Sequence, residues 1–337
     1  MARKATSGEL IERWRTPLGL KIIKSVIHAL RYGNPIPPLL AGLPFAAEVK
    51  SGQDLRYAPL ERASLDGADL TGADLTRARL RFARLAGARM RGVTLKGADL
   101  RDAHFSGANM EDADLTEAVA TNAIMEVVNL LGAELKDAVF ERVHAYGCRL
   151  STAQMRGTVW TKASLVSCDL SNCRLDATVL TGANLRGANI KGVDLRCAYV
   201  RELDLSAVRL KGAYLADVDF TGADLGGSDL RGAQLQNVAF ARANLSMANL
   251  REANLRGANL TGARVVRANL ALADLREARL TGANLRGSNL ISADLTGAYF
   301  ESTTLTDASL DKAVITGVEG LSTRQVSKLH KRGAVDE

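Results

Sequence analysis

Large apolar residues recur every five positions from Leu55 to Ile315, without one insertion or deletion. A helix repeats near 3.6 residues and a strand at 2, so neither accounts for this period. Leu fills 37 of the 53 central positions, and Phe, Met, Val, Ile, Trp160, Ala120 and Ala145 fill the rest; none is charged. Two residues before each centre the side chain is small, Ala in 36 of the 53 units, with Gln53 and Leu203 as exceptions. Asp or Asn favours the position just before the centre, as in Asp69, Asp74, Asn184 and Asn259, and Thr, Arg and Gly fill the two after it. Each unit therefore offers two inward positions and three polar, turn-prone ones.

A short unit that cannot bury its own apolar face must stack on copies of itself, which predicts an all-β solenoid. The motif (small residue, Asp or Asn, Leu or Phe, two mostly polar residues) closely resembles the pentapeptide-repeat family over about residues 53 to 317. The resemblance implies a right-handed quadrilateral parallel β-helix, four pentapeptides to a coil. With coils one strand spacing apart, ~4.8 Å, about thirteen of them would form a rod on the order of 60 Å long. A 20-residue coil also predicts that aromatic centres share a side: Phe140, Trp160, Phe220, Phe240 and Phe300 are all multiples of 20, and Phe105 is not.

An open solenoid exposes a sheet edge at each end and needs caps. Residues 1 to 52 are read as an N-terminal helical cap, with one helix over 7 to 32 carrying Leu20, Ile23, Ile27 and Leu30 on one side and Lys21, Lys24, His28 and Arg31 mostly on the other. Gly33, Asn34, Pro35, Pro37 and Pro38 are expected to end it. Residues 318 to 337 are read as a C-terminal capping helix and tail, with Ser322 as N-cap, Gln325 completing a capping box and Gly333 as the stop.

Composition narrows the classes. Net charge is +7, yet residues 53 to 317 hold 32 basic against 31 acidic side chains, so the excess lies in the terminal segments. Aromatics are 4%, too few to interleave with the basic residues as stacking platforms, so sequence-specific nucleic-acid binding is not expected. No stretch approaches the ~20 apolar residues of a membrane span. The apolar run Leu20 to Leu30 is interrupted by Lys21, Lys24 and His28, which argues against a secretory signal, and the expected setting is cytoplasmic.

The four cysteines show no CxxC pair. Cys148, Cys168 and Cys173 occupy the small inward position and are read as packing residues, although Cys148 and Cys168 stand one coil apart; Cys197 is expected outside. His104 and His144 share an outward column two coils apart, roughly 10 Å, with Ile124 between them, too far for one metal. Acids and serines recur with the repeat, and no phosphate-binding glycine loop occurs. The expectation is a protein that is not an enzyme, with no catalytic residue, cofactor or metal.

Candidate sites lie where the repeat departs from its own consensus. Just before the centre on the aromatic-bearing side, Asp/Asn gives way to Val119, Val139, Val159, Val179 and Tyr199, joined by Ile124, Val127, Leu131, Tyr146 and Val166. This stripe suits a partner or dimer contact, or simply reflects the preference of valine for a β surface. Arg77, Arg79, Arg81, Arg84, Arg89 and Arg91 crowd about one coil, and Lys191, Lys211, Arg231 and Arg251 form a column. Their counter-charge comes either from neighbouring acids or from an anionic partner.

The leading expectation is a rigid, non-catalytic scaffold that binds a protein partner or its own copy as a homodimer. Some members of the resembled family protect DNA gyrase or topoisomerase IV from poisons by imitating duplex DNA, which is the alternative. Those mimics are acidic, often dimeric through a C-terminal helix, and the more potent ones carry loops; this repeat is charge-balanced and admits no inserted loop. Around Asp69, Asp74, Asp99 and Asp114 a local acidic face would still serve.

Overall fold

Each five-residue unit forms one short side and one corner of a coil. The centre and the small residue before it turn inward: Leu65 and Leu225 are fully buried, as are Ala68 and Ala223. The second residue after the centre takes a left-handed conformation, φ 57° at Arg62 and 67° at Gly182, which is why glycine recurs at that place. The Asp or Asn before the centre accepts a hydrogen bond from the backbone N–H two residues on, as Asp69 does from Thr71 (3.1 Å) and Asn184 from Arg186 (2.9 Å). Its side chain thereby mimics a turn and fixes the corner.

These contacts are seen in a computed structural model that describes residues 5–32 and 54–336 and divides into two units, Met1–Val179 and Leu180–Glu337. The expected helix terminator at Gly33 to Pro38, and Gln53, lie outside the described residues. In both units the chain returns to the same side after 20 residues and pairs in parallel with itself, from Asp54 with Asp74 to Val159 with Val179, and from Asn184 with Asp204 to Tyr299 with Glu319. The amide of Leu65 donates to the carbonyl of Arg84 (2.7 Å) and the amide of Arg84 to that of Ala63 (2.9 Å). This is a parallel β-helix with four five-residue sides per coil. Phe140 stacks on Trp160 in the first unit (centroids 4.3 Å) and Phe220 on Phe240 in the second (5.7 Å), so aromatic centres 20 apart do share a side.

The N-terminal segment differs from the single helix expected. It forms α1 (Ser7–Arg15) and α2 (Pro17–Tyr32), broken at Thr16, whose φ −66° and ψ 153° are extended because Pro17 excludes the helical conformation from the residue before it. Pro17 then opens α2, where its missing N–H costs nothing, and the hydroxyl of Thr16 accepts from the amide of Gly19 (2.9 Å). Gly19 is required here, because a Cβ would collide with the carbonyl oxygen of Arg13. Thr6 and Glu9 form a capping box at the start of α1.

α1 docks on the first coil around a buried ion pair. The Arg13 guanidinium, with its side chain fully buried, binds Asp54 by two bonds of 2.5 and 2.8 Å, and Trp14 Nε1 donates to the carbonyl of Arg56 (2.8 Å). Arg56 reaches the same carboxylate (2.9 Å). Burial alone would raise the pKa of Asp54, but hydrogen bonds and charge from Arg13 and Arg56 outweigh it and hold the group below its ordinary 3.8.

At the other end α3 (Thr323–His330) begins with the expected Ser322–Gln325 capping box. The helix alone does not close the coil. Gly333, at φ 90°, turns the chain back so that Val335 pairs with Val314, and the amide of Ile315 donates to the carbonyl of Val335 (2.9 Å). An added strand covers the last edge, and Arg332 ties it down through the carbonyls of Leu305 and Ala308.

The depressed pKa of Asp54 means that its contribution to stability is complete above the unfolded carboxylate value and is lost as pH falls through the lower folded value. Acid titration of tryptophan emission should therefore show α1 releasing below pH 3.8. Replacing Asp54 by Ala leaves Arg13 charged and buried, expected to cost about 3–5 kcal/mol. Release at the same pH in both proteins would contradict this arrangement.

Candidate functional site

The valine column runs along one side of the first unit. Val119, Val139, Val159 and Val179 pair in succession there, each half-buried because the neighbours above and below shield it. Tyr199 stands in the second unit, 63% exposed, its carbonyl accepting from the amide of Leu180. The surrounding apolar residues do not merge with the column into one stripe. Ile124 lies on the next side, paired between His104 and His144, while Val127, Tyr146 and Val166 occupy the corner beyond it. The corner residues are stacked: the amide of Val127 donates to the carbonyl of Tyr146, and that of Gly147 to the carbonyl of Val166. Leu131 follows a further side on.

That corner is the more unusual surface. Val127 and Tyr146 are 62% and 54% exposed, and Val127 holds φ 56°. Among the described left-handed corner residues only Val127 and Thr152 are β-branched, the type for which this conformation is most strained. Sequence reading groups Val127 with its neighbours by polarity alone. Its position in the unit, second after the centre, was the available signal that its backbone is strained.

The six arginines do not make one anion-facing patch. Arg79, Arg84 and Arg89 stand on three successive sides, paired respectively with Pro59, Ser64 and Asp69 in the coil before. Their charges are met locally: Arg79 by Glu61 (2.7 Å), Arg81 by Asp102 (3.3 Å), Arg84 by Asp66 (2.8 Å), Arg89 by Asp69 (3.1 Å) and Arg91 by Glu111 (3.4 Å). Arg77 packs its stem beside Gly97. Exposed pairs of this kind contribute only ~0–1 kcal/mol each, so their effect is chiefly to neutralise the surface.

The carboxylates are likewise dispersed. Asp69, Asp99 and Asp114 lie on three different sides, and only Asp74 shares a column with Asp114, separated by Thr94. Hydrogen bonding and charge from Arg101 hold Asp99 below the usual carboxylate range, and hydrogen bonds from Thr71 and Arg89 do the same for Asp69. Asp114 and Glu134, adjacent in one column, have no ion pair among the described residues.

The three inward cysteines act as packing residues with a local hydrogen bond: Cys148 donates to the carbonyl of Met125, Cys168 to that of Ala145 and Cys173 to that of Leu150. The contact with Cys148 and burial raise the pKa of Cys168, and burial pushes Cys173 up to about 12, so Cys168 and Cys173 stay protonated. Cys197 is exposed. His104 bonds Ser106 (2.9 Å), and Ile124 separates it from His144 as the column spacing requires.

With this geometry in place, comparison defines the class. The sequence profile described as pentapeptide repeats matches eight copies, over residues 54–92, 94–130, 163–198, 201–237, 233–270 and 268–307. The chain belongs to the pentapeptide-repeat family, whose fold is a right-handed β-helix. Among solved structures it is similar to HetL from Nostoc sp. strain PCC 7120, described as involved in the regulation of heterocyst differentiation, at 28% identity over 75% of this chain and 92% of that one, with a TM-score of 0.34. It is also similar to a pentapeptide repeat protein of the Arabidopsis thaliana thylakoid lumen (30% identity, 37% of this chain and 81% of that one, TM-score 0.23). A third similarity is to QnrB1, a plasmid-mediated fluoroquinolone resistance protein (17% identity, 64% and 97% coverage, TM-score 0.23). No curated protein matches the sequence.

Replacing Val127 by Gly removes the strained side chain while adding some unfolded-state entropy, so a net stabilisation of about 1 kcal/mol or less is expected. The denaturation midpoint should rise slightly; a fall would show that the valine side chain stabilises its corner in the isolated protein.

Proposed function

We propose that the chain is a non-catalytic solenoid of about thirteen coils that serves as a protein-interaction scaffold or self-association module, with the first unit supplying the contact surface. The observation that carries this reading is the corner of Val127, Tyr146 and Val166, one side on from the valine column. A strained, exposed apolar residue stands where glycine would fit at no backbone cost. A second copy of the chain or another protein would cover the corner and the column together.

The alternative, protection of gyrase or topoisomerase IV by partial DNA mimicry, draws its support from Asp114 and Glu134, stacked in one column and not neutralised by arginine. A single short column is a smaller mimic than a continuous acidic face. One pair of measurements separates the readings. Val159→Asp, alone and with Val127→Asp, should weaken self-association in sedimentation or capture of the partner in pull-down by at least tenfold, and unchanged profiles would overturn the contact surface. Gyrase supercoiling in the presence of a poison should be unaffected by the wild-type protein; rescue that is lost on Asp114→Asn with Glu134→Gln would establish the alternative instead.

A further inference from the structure

The pairing that joins successive coils lapses inside the second unit. From 54 to 319 every position just before a centre takes part in a β-bridge except Asp194. Arg209, Tyr214 and Asp219 pair only with the coil that follows, through Asp229, Gln234 and Ala239. In an intact junction such as the next one, the amide of Leu215 donates to the carbonyl of Gln234, and the amide of Gln234 to that of Ala213. The equivalent groups at the lapse, the amides of Leu195 and Tyr214 and the carbonyls of Val193 and Tyr214, have no backbone partner across it.

The parted segments enclose a cavity of about 740 Å³ bounded by residues 189–196 and 209–215. Its size falls in the range of ligand sites, ~300–1,000 Å³. Val193 and Ala213, at inward small positions that are buried almost everywhere else, are half-exposed here, so the cavity reaches the solenoid interior. Leu195 and Leu215 form its apolar floor.

The walls are basic. Lys191, Arg209 and Lys211 line the cavity and, unlike most arginines of the first unit, have no carboxylate within 4 Å among the described residues. Arg196 is satisfied by Asp194 (2.6 Å), the only acid among the described residues lining the cavity, and Tyr214 stands 75% exposed at its edge. Three cations around unpaired strand edges ask for two things at once: backbone hydrogen-bonding groups and negative charge.

We propose that this cleft binds a short extended peptide carrying acidic side chains, which adds as a strand to the open edges at Val193–Leu195 and Tyr214 while its carboxylates meet Lys191, Arg209 and Lys211. Strand addition uses main-chain hydrogen bonds for affinity and side-chain pockets for selection, and both are present. A simple anion would meet the cations but leave the strand edges open. The valine-bearing surface of the first unit plays no part in it.

The test uses the full-length protein and a capped, fluorescein-labelled hexapeptide alternating valine with aspartate and glutamate, followed by anisotropy at low and moderate salt. Binding is expected to weaken at least tenfold in Lys191→Ala with Lys211→Ala, whose changes lie on exposed side chains, and to weaken similarly when alternate peptide nitrogens are methylated. Circular dichroism of the double variant should match the parent. Absence of binding at millimolar peptide would overturn the proposal. So would affinity unchanged in the double variant, or equal affinity for the N-methylated peptide, which would leave only a site for anions such as inorganic phosphate.

Discussion

The hydrogen bond from a central amide to the carbonyl nineteen residues later is the interaction on which the rest of the molecule depends. Leu65 to Arg84 and Leu225 to Asn244, both 2.7 Å, are instances. Because a bond of this kind recurs at successive sides, a coil must contain 20 residues, and the small and large inward positions must stack on their own kind. Interior volume is then fixed by the alternation of Ala and Leu, with little room for a bulkier core. Outward side chains inherit the same ladder, so every surface property comes in columns about one strand spacing apart.

Columns explain why the charge distribution is quiet. Like charges 20 residues apart are forced together, and the chain answers by setting an acid one coil or one corner away, as with Arg89 and Asp69 or Arg101 and Asp99. The ladder also leaves a raw edge where it begins and another where it stops, and the protein covers them differently. The first is met by α1 through the buried Arg13–Asp54 pair, whose strength depends on both partners being present. The last is met by a further strand, Val335 on Val314.

Much of this was legible in the residues. The unbroken five-residue ruler gave the coil, the multiples of 20 gave the aromatic stack, and Ser322 with Gln325 marked the last helix. The break at Thr16 was also written in the chain, as a residue before proline, but an amphipathic pattern running through it masked the signal. The Arg13–Asp54 contact was not legible, because 41 residues separate the partners and neither belongs to a local motif. The candidate surfaces were legible as columns but not as sides: a linear pattern shows which residues are 20 apart, and says less about which corner separates neighbouring columns. The opening at Asp194 was hidden for a different reason. Val193, Asp194 and Leu195 themselves keep the consensus, and the departures around them, Tyr199, Arg209 and Tyr214 before their centres and the buried Leu203 at a small position, recur as types elsewhere or lie on another side of the coil and do not by themselves mark an opening.

The central claim is that one kind of ladder builds both units and opens at Asp194. Amide hydrogen exchange resolved to individual residues tests it most directly. Strong protection is predicted at the central amides that bond to the following coil, Leu65, Leu150 and Leu225 among them, with rapid exchange at Leu195 and Tyr214. Protection at Leu195 equal to that at Leu225 would contradict the opening, and weak protection at the central amides generally would contradict the ladder itself.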